Sequence, residues 1–254
     1  RGNSGSHYTP EELCKPLITN SLEHKIREQI EKAGIKPEDS LEKNSPEKRQ
    51  AAIRNLLELK ICDIACGSGH ILLSAARRLA TNVARLATCE EQPNPVAMRQ
   101  AMRLVIKNCI YGVDYNPLAV ELCKVALWLE RHNPGEPLNF LDHHIKCGNS
   151  VVGLTHQDDL YRGIADEAFK KLEKDDKEIV SLYKKANKQE RIAKDQLGLW
   201  ERSVESNIQE LLNEFENFAQ MPERTPEEIA QKSRKYNILT NKASFQRIKT
   251  LADI

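Results

Sequence analysis

Apolar positions in the first hundred and fifty residues follow two alternating rhythms. Short runs that are β-branched or apolar and stop at Gly, Asp or Asn occur at 60–64 (LysIleCysAspIle), 109–113 (CysIleTyrGlyVal) and 144–148 (HisIleLysCysGly). Each predicts a short buried strand. Between them the spacing becomes helical. One helix is predicted directly after Gly69. Another is predicted from Pro117 to Arg131, where Leu118, Val120, Leu122, Val125, Ala126 and Leu129 form an apolar stripe behind a first-turn proline. Strand, glycine turn, helix, strand, helix, strand is the order of a parallel α/β sheet. Two more helices are predicted ahead of it, over 10–32 and 46–59. ThrProGluGlu at 9–12 and SerProGluLys at 45–48 each place a capping hydroxyl before proline and acids in the first turn. The polar stretch 36–49 reads as an exposed connection.

Beyond residue 153 the pattern changes. Phe169, Leu172, Ile179, Leu182 and Tyr183, then Val204, Ile208, Leu211, Leu212, Phe215 and Phe218, recur at helical spacing, and nothing alternates with period two. Gly198 is placed to interrupt a long helix, and ThrProGluGlu at 225–228 opens another. Two parts are therefore expected: an α/β domain over 1–153 and a helical hairpin with shorter helices over 154–254.

Composition narrows the function classes. The chain has 254 residues, 40% of them hydrophobic, which is enough for a core but not for one spread evenly along it. Its 38 basic and 37 acidic side chains leave a net charge of +1, so bulk adhesion to nucleic acid or anionic membrane is not encoded in the totals. No apolar run approaches the roughly 18 to 20 residues of a membrane helix, and no signal-peptide core opens the chain; a cytoplasmic protein is expected. The seven cysteines contain no CxxC pair and no zinc spacing, and read as buried reduced thiols. His143 and His144, taken as neighbours on a strand, should face opposite sides and share no metal. Trp128 reads as core, and Trp200 as a seal on the hairpin.

The chemistry concentrates in AspIleAlaCysGlySerGlyHis at 63–70, directly after one predicted strand and before a helix. A strand ending in an acid and turning through two glycines presents backbone N–H groups and a helix amino end to a ligand. A phosphate-binding loop would need GlyLysSer or GlyLysThr here, and HisIleLeu follows instead. A dinucleotide fingerprint would need a third glycine where Leu72 stands, and an acid about 20 residues on. The next strand-end acid is Asp114, well beyond that distance. The loop is more similar to that of S-adenosylmethionine-dependent methyltransferases, in which an acid ending the second strand takes both ribose hydroxyls; Asp114 has that placement and offers two acceptor oxygens to a diol, with Tyr115 beside it as a ring for adenine. Asn149, at the third strand end, offers an amide to the adenine edge.

Four segments in order make the resemblance specific: HisTyrThrPro at 7–10, AspIleAlaCysGlySerGly at 63–69, IleTyrGlyValAspTyrAsnProLeuAlaVal at 110–120, and PheLeuAspHisHisIleLysCysGlyAsnSerValValGly at 140–153. Together they resemble successive motifs of the large DNA adenine-N6 methyltransferases, most closely the fused restriction–modification and phage-exclusion enzymes. The resemblance implies a Rossmann-like S-adenosylmethionine-dependent core over 1–153 with a helical insertion after it. It assigns Tyr8, Thr9 and Pro10 to the cofactor pocket with Asp63, Ala65, Cys66, Gly67, Ser68 and Gly69. It gives Asp114 and Tyr115 the ribose and adenine roles. Asn149 stands where many relatives carry Asp. Double-stranded DNA is the implied partner, with an endonuclease or recognition domain in the same polypeptide.

The family transfers the methyl group at an AsnProPro-aromatic motif after a fourth strand, where a flipped base is held. Here AsnPro occurs at 94–95, 116–117 and 133–134, followed by Val, Leu and Gly. No catalytic residue is therefore assigned. The missing motif is expected beyond Ile254, which makes the chain a piece of a larger enzyme, inactive by itself. The competing classes are a non-catalytic cofactor-binding or helical partner-binding module, and a methyltransferase acting on RNA or protein.

Overall fold

The computed structural model describes residues 10–36, 40–131, 140–153, 166–171, 173, 175–197 and 199–252. The chain divides into two compact units. One is Arg1–Ser150 with Arg224–Pro226, and the other is Val151–Glu223 with Glu227–Ile254.

The first unit is built on three parallel strands, β1 (Ile61–Asp63), β2 (Ile110–Asp114) and β3 (Ile145–Cys147), in that spatial order. Register aligns Asp63 with Gly112 and Asp114 with Cys147. The three strands therefore end close together, and each predicted strand lies within a residue or two of its observed limits. Parallel neighbours need crossover connections. Helices α3 (His70–Thr88) and α4 (Pro95–Cys109) carry the chain from β1 to β2, and α5 (Pro117–Arg131) leaves β2 on the way to β3. In α3, Leu72, Ala75, Ala76, Leu79, Ala80, Val83 and Ala84 are buried on one face at helical spacing. Alanines in that stripe let α3 lie close to α4 and to the two leading helices, α1 (Glu11–Lys32) and α2 (Pro46–Leu57), which also pack on it.

Helix α4 has no counterpart among the predicted elements. Its signals are nonetheless in the sequence. Asn94 caps it by accepting from the N–H groups of Val96 and Ala97 at 3.1 and 3.0 Å, Pro95 occupies the first position, and Ala101, Met102, Val105, Ile106 and Cys109 are buried.

Three further expectations are corrected. His143 and His144 lie in the turn before β3, not on it, so strand alternation does not apply. Their rings meet edge to face with centroids 4.1 Å apart, and the buried His144 stacks on Tyr111 at 4.3 Å. Cys14, Cys66, Cys109 and Cys123 are buried thiols, but Cys62 and Cys147 are exposed. The connection ahead of α2 is not wholly exposed either, since Asn44 is buried and donates to the Ser40 carbonyl at 3.1 Å.

The second unit is helical. Described elements are α6 (Lys177–Leu197), α7 (Leu199–Gln220), α8 (Pro226–Thr240) and α9 (Ala243–Ala252). Helix α6 stops and α7 starts on either side of position 198, which itself lies outside the described residues, as does the side chain of Trp200. Leu211, Phe218 and Leu239 are buried here, together with Lys232. The Lys232 ammonium reaches Glu223 at 2.7 Å and the Ala219 carbonyl at 3.3 Å, and lies 4.9 Å from the centre of the Phe218 ring. No described helix is long and apolar enough to cross a membrane.

Candidate functional site: a glycine loop at the strand ends

The loop between β1 and α3 is fixed by four short hydrogen bonds. Ala65 N–H donates to Asp63 Oδ1 at 3.0 Å, Cys66 N–H to the Val113 carbonyl at 2.9 Å, Gly67 N–H to Asp114 Oδ2 at 2.8 Å, and Gly69 N–H to the Cys66 carbonyl at 2.8 Å. The acid ending β1 and the acid ending β2 thus both hold the same loop. Gly67 and Gly69 have φ of 52° and 86°, a left-handed conformation that a side chain disfavours. At Gly69 there is a second reason. A Cβ there would stand 2.5 Å from Cys123 Sγ on α5.

Asp114 joins three elements. Its Oδ1 accepts from Asn116 N–H at 2.8 Å, and its backbone carbonyl accepts from Gly148 N–H at 3.0 Å, just past the end of β3. Asn116 in turn caps α5 through Leu118 N–H at 3.0 Å. A carboxylate has about four acceptor positions, so two remain for a ligand. Asp63 differs. Its Oδ2 is buried and has no hydrogen-bond partner among the described residues, a costly condition for a carboxylate oxygen and one that a donor from outside would relieve.

The sequence-predicted residues distribute as follows. Asp63, Ala65, Cys66, Gly67, Ser68 and Gly69 form the loop, and Asp114 touches it directly. Tyr115 follows at the same strand end with its side chain 79% exposed. Asn149 is exposed, one residue after the Gly148 amide that bonds Asp114. Pro10 is exposed at the start of α1, where its carbonyl accepts from Leu13 and Cys14 N–H. Tyr8 and Thr9 lie outside the described residues.

Sequence reasoning missed the underside of the loop. Cys66 and Cys123 meet there, one from the loop and one from α5, both buried. The Cys123 thiol donates to the Cys66 sulfur, which holds Cys66 below the ordinary thiol range and pushes Cys123 above it. Gly112, in the middle of β2, is also part of this packing, since a Cβ there would come within 3.0 Å of Cys66 Sγ and 2.9 Å of Leu72 Cδ1. A cysteine on an apolar helix stripe carries no signal of such a role. The glycine within a strand did hint at a close approach. Among the described residues no group of three or more His, Cys, Asp or Glu side chains is placed to hold a metal ion.

Comparison with known proteins extends the picture beyond the loop. The family model of the Eco57I restriction-modification methylases matches residues 108–249, more than half of the sequence. The chain belongs to that family. The matched stretch opens at the last turn of α4, includes β2 with Asp114, and Asn149, and continues through α6, α7 and α8 into α9, which carry no motif of their own in the sequence. A type II restriction enzyme and methyltransferase of Methanocaldococcus jannaschii is 28% identical over 173 residues, covering 59% of this chain and 14% of that protein. The adenine-specific methyltransferase PglX of Streptomyces coelicolor is 41% identical over 70 residues, 28% of this chain and 5% of that protein. The chain therefore spans a small part of the length of these curated relatives. No solved structure matches it.

Proposed function

We propose that this chain carries the S-adenosylmethionine site of a restriction–modification DNA methyltransferase that modifies adenine N6. The observation behind this reading is the buried, unpartnered Oδ2 of Asp63 beside a loop that both strand-end acids hold. The pattern suits a ligand with a cationic amine at one end and a vicinal diol at the other. Asp63 would accept from the amine. The glycine loop, lacking side chains at 67 and 69, would let the ligand approach the backbone. Asp114 would take the ribose hydroxyls with its remaining lone pairs, and Tyr115 and Asn149 would meet the base. Tyr8, Thr9 and Pro10, ahead of α1, would close the methionine end. A Rossmann-like core is the matching fold, of which β1 to β3 and their helices are the part at hand. The cofactor would supply an electrophilic methyl group, and these residues would bind and orient it.

Adenine and double-stranded DNA enter through family membership and through the relative named as adenine-specific. The sequence holds no AsnProPro-aromatic run to receive a target amino group, so residues 1–254 alone should methylate no DNA. Isothermal calorimetry with S-adenosylmethionine and with its demethylated product tests the site. Wild type should bind both, Asp114→Ala at least tenfold more weakly, and Asp63→Asn more weakly still for the amine-bearing end it loses. Wild-type binding that neither substitution changes would move the cofactor elsewhere. Labelled methyl groups appearing in DNA with this chain alone would overturn the assignment of transfer to a motif it lacks.

A further inference from the structure

Away from the loop, α1 and α3 enclose an open groove of about 870 Å³. Cys14, Ile18 and Ser74 lie along it, and four cationic side chains line it, Lys15 and Arg27 on α1, Arg77 and Arg78 on α3, against a single acid, Glu23. That acid is already neutralised. Arg78 grips both Glu23 oxygens, and Glu23 is held below the usual carboxylate range by this pairing. Arg77 is clamped to Glu130 at 2.6 and 2.7 Å. Lys15 and Arg27 are different. Both are exposed, and among the described residues neither makes an ion pair.

We infer that this groove is a seat for the phosphodiester backbone of duplex DNA, an inference that rests on the methyltransferase reading above. Two arguments favour a polymer over a small phosphate. First, Lys15 and Arg27 are twelve residues apart on one helix, about 18 Å at 1.5 Å per residue. At about 3.4 Å of duplex axis per phosphate of each strand, that interval matches about five base-pair steps, far more than a compact phosphate spans. Second, the fixed pairs Arg77–Glu130 and Arg78–Glu23 hold the middle of the groove rigid and nearly neutral, leaving at its ends Lys15 and Arg27, of which Arg27 also acts on Glu23 through its field without an ion pair among the described residues. A compact anion would need converging donors, which the ends do not supply. Thr19 and Asn20 lie between them as neutral donors, the kind of group that completes backbone contacts without reading sequence. The contact sets register on the duplex and leaves base recognition to other parts.

The test is fluorescence anisotropy of a labelled duplex with the whole chain across a salt series. Lys15→Glu with Arg27→Glu should weaken binding on the order of tenfold or more at low salt and make the salt dependence shallower by about two, one for each lost phosphate contact. Lys15→Gln with Arg27→Gln, which keeps good helix formers and only removes charge, should fall between. Unchanged affinity and slope in both variants would overturn the groove, as would a wild-type chain that binds no duplex. Inorganic triphosphate displacing the duplex at equal or lower concentration than unlabelled DNA would also overturn it, by making the ligand a small polyphosphate. Calorimetry with S-adenosylmethionine on the same variants should be unchanged. Failure of that binding in wild type counts against the cofactor site and not against the groove.

Discussion

At the scale of single residues, the loop is defined as much by what lies beneath it as by what it presents. Gly69 combines a φ of 86° with a Cβ position 2.5 Å from Cys123 Sγ. Gly69→Ala therefore meets two costs: the left-handed conformation, about 1 kcal/mol or more, and a displaced sulfur. Urea unfolding should show a loss of about 2 to 3 kcal/mol. Cys123→Ala in the same background should recover the steric share and leave the conformational share, a non-additivity that a double-mutant cycle reads directly. An additive result would place the cost wholly in the backbone. The upper face of the site was legible in the sequence because acids at strand ends and glycines in a turn have few other reasons to occur in that order. The lower face was not. Cys123 is one apolar position among several on α5, and only the fold brings it under a loop fifty residues earlier.

At the scale of elements, strands and caps were legible where the local chemistry was redundant. Pro117 behind Asn116 marks α5, and Ser45 before Pro46 marks α2, with Ser45 Oγ accepting from Lys48 N–H at 3.4 Å. The Asn94–Pro95 pair carries the same signal for α4, but Arg99, Arg103 and Lys107 break the look of an apolar run. The histidine pair escapes strand alternation because β3 begins only at Ile145, and the apolar run starting at His144 does not mark that limit. In the second unit the joint between α7 and α8 depends on Lys232, fully buried against Glu223 and the Phe218 ring. Removing one member of a buried ion pair leaves the other charge desolvated, so Lys232→Ala should destabilise this unit by about 3 kcal/mol. Replacing both, with Lys232→Met and Glu223→Leu, should regain most of it. Thermal unfolding followed by circular dichroism distinguishes the two, and equal losses in the single and double variants would show that the pair's charge is not what matters.

At the scale of the whole molecule, stability is linked to alkaline pH through Cys109, at the junction of α4 and β2. Its thiol donates to the carbonyls of Leu56 and Leu57 at 3.7 and 3.5 Å, and burial pushes its pKa up to about 12. An unfolded chain releases this proton near pH 9 while the folded one keeps it, so the unfolded state gains as pH rises. The contribution is intact below about pH 9 and is lost between about 9 and 12. Between pH 8 and 10.5 wild type should lose up to about 2 kcal/mol more than Cys109→Ala, measured as the difference in urea midpoints. Parallel pH profiles for the two would mean that the thiol ionises as readily inside the fold as outside it. The hydrogen bonds on Asp114 have a consequence of another kind. A carboxylate on a free rotamer loses entropy each time it is fixed by a ligand. Asp114 is fixed once, on folding, by the amides of Gly67 and Asn116. In the proposed cofactor site, the entropic cost of orienting the acid is thereby moved from recognition to folding, and a change in the α5 cap that touches no ligand at all would surface as weaker affinity.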